Sequence, residues 1–67
     1  MSVLKVLEIM SNSTESWEDA TKNAVAHASK SVKGIKSAFV KSQSVVVEDN
    51  KVTEYRVNVK ITFEVND

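Results

Sequence analysis

The pattern of apolar and polar side chains is most regular near the end of the chain, between residues 52 and 65. The mostly apolar parity consists of Thr53, Tyr55, Val57, Val59, Ile61, Phe63 and Val65. The polar parity consists of Glu54, Arg56, Asn58, Lys60, Thr62 and Glu64. Because neighbouring side chains of a β-strand point to opposite faces, the pattern predicts one long strand with an apolar and a charged face. At about 3.3 Å per residue it would extend over roughly 43 Å.

Two further strands and a hairpin turn are predicted. Residues Val3 to Met10 are apolar on both parities, which predicts a first strand that is covered in part on both faces. Residues Ile35 to Val47 alternate imperfectly, which predicts a second strand with a bulge around Lys41 to Ser44. The sequence Glu48-Asp49-Asn50-Lys51 predicts a tight hairpin turn, because Asp and Asn tolerate positive φ angles.

A polar turn over residues 11–16 and a helix from about Ser16 to Lys33 separate the first two strands. The mostly apolar stripe of this helix consists of Trp17, Ala20, Ala24, Ala28 and Ser31, and it is extended on one flank by Thr21, Val25 and Val32. Either Ser13 or Ser16 is a suitable N-cap. Gly34, the only glycine, is placed to end the helix in a left-handed conformation. The predicted order is therefore strand, helix, strand, strand, which is an α+β fold.

Length and covering capacity together predict self-association. The 67 residues form one predicted domain, residues 1–67, and a chain this short is marginally stable on its own. A helix of about 27 Å with mostly alanine side chains is too short and too thin to cover a hairpin of about 43 Å. Exposed apolar surface of this kind usually marks an interface, so we expect an obligate homo-oligomer.

Composition excludes several classes of function. Nine basic and nine acidic side chains predict no nucleic-acid partner and no attraction to anionic lipid. No run of about 18 apolar residues exists, so no membrane span is expected and cytoplasmic residence is the default. The chain has no cysteine and one histidine, which argues against disulfides and zinc sites. No nucleophile and base are arranged together, so an enzyme is not expected.

Three segments of the chain resemble the dodecin family. They are KVLEI at residues 5–9, SWEDATKNAVAHASKSVKGI at 16–35 and TEYRVNVKITFEV at 53–65. The resemblance implies a βαββ chain whose three-stranded antiparallel sheet wraps round one amphipathic helix. It also implies a hollow homododecamer that binds a small aromatic ligand without catalysis. In the family this ligand is a flavin, riboflavin or FMN, stacked between tryptophans of neighbouring subunits.

The resemblance also indicates which positions would contact the ligand. The stacking tryptophan of the family corresponds to Ser37, and the glutamine that hydrogen-bonds the flavin edge corresponds to Arg56. Ala38, Gln43 and Tyr55 are the expected pocket neighbours. Serine has no π-face, so flavin binding is expected to be weakened, whereas Arg56 can attract an anion such as a phosphate.

The alternative is a flavin-free structural cage, or one that sequesters a metal ion such as calcium. Its metal ligands are not identified by the sequence. Glu8, Glu54 and Glu64 are candidates only if symmetry brings several copies together. Trp17 is expected to be a core or interface anchor, and His27 is expected to be partly buried or at an interface.

Overall fold

The computed structural model describes residues 3–65 and has the predicted βαββ order. The elements are β1 (Val3–Ser13), α1 (Trp17–Ala28), β2 (Ile35–Glu48) and β3 (Lys51–Val65). They form one three-stranded antiparallel sheet of order β1-β3-β2, in which β3 is central and α1 packs on one face. The α+β prediction is confirmed. The single domain predicted for residues 1–67 extends beyond the described residues.

The core lies between the helix and the central strand. Its buried apolar residues are Ala20, Ala24, Ala28, Val57, Val59 and Ile61. Alanines let the helix approach closely, and every second residue of β3 fills the space beneath it. Burying a Val or Ile side chain stabilises the fold by about 1.5–3 kcal/mol, so the β3 side chains contribute most of the core.

The helix begins as predicted but ends earlier. The Ser16 side chain is the N-cap and accepts a hydrogen bond from the Asp19 backbone N–H at 2.9 Å. The helix ends at Ala28, so the predicted extension to Lys33 is wrong. Ser29 Oγ donates a hydrogen bond to the Ala26 carbonyl at 2.7 Å. Serine side chains that bond the nearby backbone favour turns over helix interiors, which accounts for the early stop.

Gly34 has the predicted left-handed backbone conformation, but it lies outside the end of the helix. Its φ is +75°, but five residues separate it from the end of the helix, so it does not end α1. It precedes β2, and its carbonyl accepts a hydrogen bond from the Glu64 N–H at 2.9 Å. A Cβ at this position would lie 3.2 Å from the Glu64 carbonyl oxygen. Close approach to β3 and a positive φ both favour glycine here.

The hairpin between β2 and β3 follows the prediction closely. Glu48 pairs with Lys51, and Asp49 and Asn50 have φ angles of 52° and 62°, as a two-residue type I′ turn requires. The predicted bulge is confirmed by a register shift between Val40 and Ser42. Two further shifts, between residues 35 and 37 and between 46 and 47, were not predicted.

The first strand is longer than predicted. β1 continues to Ser13, so the expected polar turn over residues 11–16 is wrong for residues 11–13. Asn12 pairs with Arg56 and Ser13 with Tyr55, and these backbone bonds to β3 outweigh the turn preference of short polar residues. The loop that remains between β1 and α1 spans only residues 14–16.

The helix covers only part of the sheet. Its 12 residues span about 18 Å at 1.5 Å per residue, whereas the molecule extends over 51 Å along its longest axis. Both the shorter helix and the longer strands enlarge the uncovered region. Three large apolar side chains that pair with the helix side of β3 are left exposed, namely Val3, Leu7 and Val45. The other exposed large apolar side chains are Leu4, Val6, Met10 and Phe39 on the opposite face of the sheet, and Val47 and Val52 beside the hairpin turn. The covering shortfall predicted from the sequence is therefore confirmed for the single chain.

Candidate ligand-binding face

The sheet presents two chemically different faces. The inner face packs on α1 and carries the buried side chains of β3. The outer face points away from α1. In β3 it consists of Glu54, Arg56, Asn58, Lys60, Thr62 and Glu64, and its paired neighbours are Leu4, Val6, Glu8, Met10 and Asn12 on β1 and Ser37, Phe39, Ser42, Ser44 and Val46 on β2. Four of the five charged side chains of β3 are therefore on the outer face.

Ser37 and Arg56 both lie on the outer face, but far apart. Ser37 pairs with Thr62, and Arg56 pairs with Asn12 on one side and Ser44 on the other. Six positions of β3 separate Thr62 from Arg56, which corresponds to about 20 Å along the strand. One chain does not bring the two predicted ligand positions together, so a site that uses both needs a second subunit.

The three expected pocket neighbours lie on the inner face. Ala38 pairs with Ile61 and Gln43 pairs with Val57, and both side chains are exposed at the side of the helix. Tyr55 is in a T-shaped contact with Trp17, with ring centroids 5.3 Å apart and planes at 78°. Within one chain these residues do not form a pocket with Ser37 or Arg56.

Trp17 packs at the start of the helix, as expected. It is half-buried against the core, and its Nε1 donates a hydrogen bond to the Ser44 carbonyl at 3.0 Å. Its ring is on the inner face, whereas Ser37 lies on the outer face. His27 is exposed in the single chain and lines an open groove with Asn12 and Asn23. One chain therefore does not bury it, and its place at an interface stays a prediction.

Two polar clusters mark the outer face. In one, Arg56 Nε donates to Asn12 Oδ1 at 3.0 Å, and Asn12 Nδ2 donates to Glu54 Oε1 at 3.3 Å. In the other, the Lys41 ammonium lies 3.4 Å from Glu8 Oε2. The Asn12 side chain therefore hydrogen-bonds both the cation Arg56 and the anion Glu54 of the central strand.

The Glu8 carboxylate is stabilised in its charged form. A hydrogen bond from the Asn58 side chain is the largest cause, and Lys41 adds a further hydrogen bond and its charge, so the pKa of Glu8 lies below its ordinary value. The amide oxygen of Asn58 is buried and has no hydrogen-bond partner among residues 3–65.

A complete metal site is not formed within the described part of one chain. Residues 3–65 contain no group of three or more His, Cys, Asp or Glu side chains placed to hold a metal ion. Glu64 is paired with Lys36 at 3.7 Å, and the acidic hairpin residues form a turn. Over the same residues, no helix is long and apolar enough to cross a membrane.

Sequence reasoning missed the role of Asn12. The residue was assigned to a polar turn, whereas β1 carries it onto the outer face beside Arg56. The only signal in the sequence is parity, because Asn12 continues the outer-face alternation of Met10 and Glu8. Phe39 is 66% exposed on the outer face, opposite Lys60.

Comparison with known proteins accounts for this architecture. A family model described as Dodecin matches residues 3–66. A calcium dodecin from Mycobacterium tuberculosis is 38% identical over 64 residues, covering 96% of this chain and 90% of the relative.

Solved structures show the same backbone. A crystal structure of M. tuberculosis calcium dodecin, described as having a novel calcium-binding site, has 36% identity and a TM-score of 0.84, covering 97% of this chain and 93% of that one. A point mutant of Thermus thermophilus dodecin has 27% identity and a TM-score of 0.94, covering all of both chains. Since the family model and a 38% identical relative extend over nearly the whole chain, this protein belongs to the dodecin family.

Proposed function

We propose that this chain assembles into a hollow homododecamer that binds and stores a small ligand without catalysis. Family membership supports the proposal, and the uncovered apolar surface is the observation that carries it. Residence in the cytoplasm and the lack of a nucleic-acid or membrane partner stay predictions from composition.

The apolar surface on β1 supports self-association. Leu4, Val6 and Met10 are 54%, 60% and 63% exposed, and all three lie on the outer face of an edge strand. Covering apolar area contributes about 25 cal/mol per Å², so a subunit gains stability when a neighbour covers this stripe. An uncovered edge strand would otherwise favour uncontrolled aggregation.

Native mass spectrometry tests the assembly and the retained ligand together. We expect twelve copies of the 7.4 kDa chain in one particle. The double variant Val6→Lys, Met10→Lys places charges in the apolar stripe and is expected to dissociate the particle. Lys60→Gln, also on the outer face, is the control and leaves the particle intact. A wild-type mass near 7.4 kDa would refute the proposal.

The first ligand we propose is a flavin, riboflavin or FMN, as the family default. Ser37 is exposed on the outer face but provides no ring for stacking. Base–aromatic stacking contributes about 1–3 kcal/mol, so affinity is expected to be roughly 5-fold to more than 100-fold below that of a tryptophan-bearing member. Quenching of flavin fluorescence measures this affinity. No quenching at micromolar protein would remove flavin as the ligand.

Calcium is the second ligand, because a 38% identical relative is named calcium dodecin. Calcium takes six to eight oxygen ligands. Glu8 carries a carboxylate on the outer face, and the amide oxygen of Asn58 has no partner in residues 3–65. One chain supplies too few ligands there, so a calcium site would need oxygens from neighbouring subunits.

Calorimetric titration with calcium and magnesium tests this second ligand. We expect saturable calcium binding with fewer ions than chains, because a shared site uses several subunits. The dissociated Val6→Lys, Met10→Lys variant is expected to lose calcium binding, while Glu48→Gln, at the distant hairpin turn, retains it. Binding that persists after dissociation would contradict a site shared between subunits.

A further inference from the structure

Arg56 occupies the middle of the outer face. It is half-buried on the central strand, between Asn12 of β1 and Ser44 of β2. Side chains from both neighbouring strands therefore limit the directions in which the guanidinium can point. A long side chain that is already confined loses less conformational entropy when it binds a ligand.

The hydrogen bonds of Arg56 leave its outer edge unused. Nε donates to Asn12 Oδ1 at 3.0 Å, and this is the only side-chain hydrogen bond that Arg56 makes within residues 3–65. An arginine has five N–H donors, so the four on Nη1 and Nη2 have no acceptor in the described chain. The Asn12 amide also bonds Glu54 at 3.3 Å, and no carboxylate of residues 3–65 lies within 4.0 Å of the guanidinium.

The outer face has more cationic than acidic side chains. Its charged groups, including those that reach it from adjacent positions, are Lys36, Lys41, Arg56, Lys60, Glu8, Glu54 and Glu64. Every carboxylate in this set has a partner within the chain. Glu8 is paired with Lys41, Glu54 accepts a hydrogen bond from Asn12, and Glu64 is paired with Lys36. The excess is therefore one positive charge, and the N–H donors without a side-chain hydrogen-bond or ion-pair partner in residues 3–65 belong to Arg56 and Lys60. Of these two side chains, only Arg56 has a planar guanidinium held by a neighbouring strand.

We propose that Arg56 is an anion-binding residue that takes a phosphate group, free or on a small ligand, and that Asn12 orients it. The planar guanidinium presents paired N–H groups that match phosphate oxygens, and such charge-assisted bonds are about twice as strong as neutral ones. Asn12 acts as a positioning residue because it holds Nε and keeps Glu54 engaged. This inference adds a phosphate group to the proposed small-ligand function, and it depends on that function only for the small size of the ligand.

Titration with inorganic phosphate at low salt, followed by ³¹P NMR and calorimetry, tests the proposal. In Arg56→Gln we expect phosphate affinity to fall by at least about 10-fold, since a charged hydrogen-bond pair is lost. Lys60→Gln is the matched control, because it removes one positive charge from the same strand and face. It is expected to change the affinity by less than about 2-fold.

Two further variants separate orientation from charge. Arg56→Lys keeps the charge without the planar fork and is expected to fall between wild type and Arg56→Gln. Asn12→Ala leaves the Arg56 guanidinium in place but removes the hydrogen bond that orients it. We expect this variant to bind phosphate more weakly while the particle mass stays unchanged. Comparing FMN with riboflavin adds a second readout, since only FMN has a phosphate.

Equal phosphate affinity in wild type and Arg56→Gln, or equal losses in Arg56→Gln and Lys60→Gln, would overturn the proposal. So would the absence of saturable phosphate binding in the wild type. Failure of the proposed storage function looks different, because phosphate would bind while flavin and calcium would not. Flavin binding without any preference for FMN would leave the storage function in place and would show that Arg56 does not bind the phosphate of FMN.

Discussion

The two faces of β3 differ although their residues alternate along one strand. Val57, Val59 and Ile61 are fully buried beneath the helix alanines. Arg56 and Lys60 are sequence neighbours of these buried residues but point to the outer face. There Arg56 donates a hydrogen bond to Asn12 of the neighbouring strand. The inner face is constrained by volume, whereas the outer face is constrained mainly by charge and hydrogen bonding.

This difference separates fold from ligand choice. A change of side chain on the inner face alters the packing of the whole domain, because protein interiors are close-packed. The outer face can carry residues such as Ser37 and Arg56 while the backbone stays that of a dodecin. Members of the family can therefore share a fold and differ in what they bind.

The largest expected effect is the loss of an inner-face side chain. Ile61→Ala leaves a cavity beneath the helix, and we expect a loss of about 2–5 kcal/mol in the free energy of unfolding. Thr62→Ala, on the outer face, is the control and is expected to change it by less than about 0.5 kcal/mol. Chemical denaturation at one fixed protein concentration measures both. Similar losses in the two variants would contradict the contrast between the faces.

Overfilling the inner face is expected to have the next largest effect. Ala24 is 1% exposed, so Ala24→Leu pushes the helix from the sheet and costs about 1–3 kcal/mol. Ala26→Leu adds the same side chain on the exposed side of the helix and is expected to be nearly neutral. A denaturation midpoint that stays unchanged in Ala24→Leu would show that helix and sheet are not closely packed.

A substitution on the outer face is expected to alter binding rather than stability. Ser37→Trp restores a stacking surface, so flavin affinity is expected to rise by roughly 5-fold to more than 100-fold. Ser42→Trp places the same ring on another exposed outer-face position of β2 and is the control. Flavin fluorescence quenching measures both affinities. An equal gain in the two variants would indicate unspecific stacking instead of a site at position 37.

The smallest expected effect concerns Glu8. Its pKa is lowered in the folded chain, mainly by Asn58 and then by Lys41, so its stabilising contribution is present above the ordinary value of 4.5. That contribution is lost as the pH falls through the lower folded pKa. Melting temperatures of wild type and Glu8→Gln should therefore differ at about pH 6 and converge as the pH falls below the lowered folded pKa of Glu8. Asn58→Ala removes the main cause of the lowered pKa, so its melting temperature should also differ from that of wild type at about pH 6 and approach it at lower pH. A difference in melting temperature that is independent of pH would contradict this role of Glu8.

Local features of the fold were predictable from the sequence. The type I′ turn at Asp49 and Asn50 depends on two residues that accept positive φ, and the bulge near Lys41 follows from broken alternation. The end of the helix was not predictable from periodicity alone. The apolar spacing continues past Ala28, while Ser29 bonds the backbone and ends the helical turn.

The candidate site was predictable only in part. Family resemblance pointed to Ser37 and Arg56, and both are on the outer face. It did not indicate their separation of about 20 Å along β3 within one chain. The alternation over residues 52–65 already puts Tyr55 on the face opposite Arg56. The face of Ala38 needed the structure, because a register shift between residues 35 and 37 precedes it and was not predicted.

The sequence by itself determined the two-faced character of β3, the hairpin turn and the small-residue stripe of the helix, because these depend on side-chain period and local backbone preference. Only the tertiary structure decided how far β1 extends and what surrounds Arg56. Asn12 lies 44 positions from Arg56 and 42 from Glu54, so their contacts exist only when β1 pairs with β3. Strand pairing converts distant polar residues into one candidate anion site on the outer face.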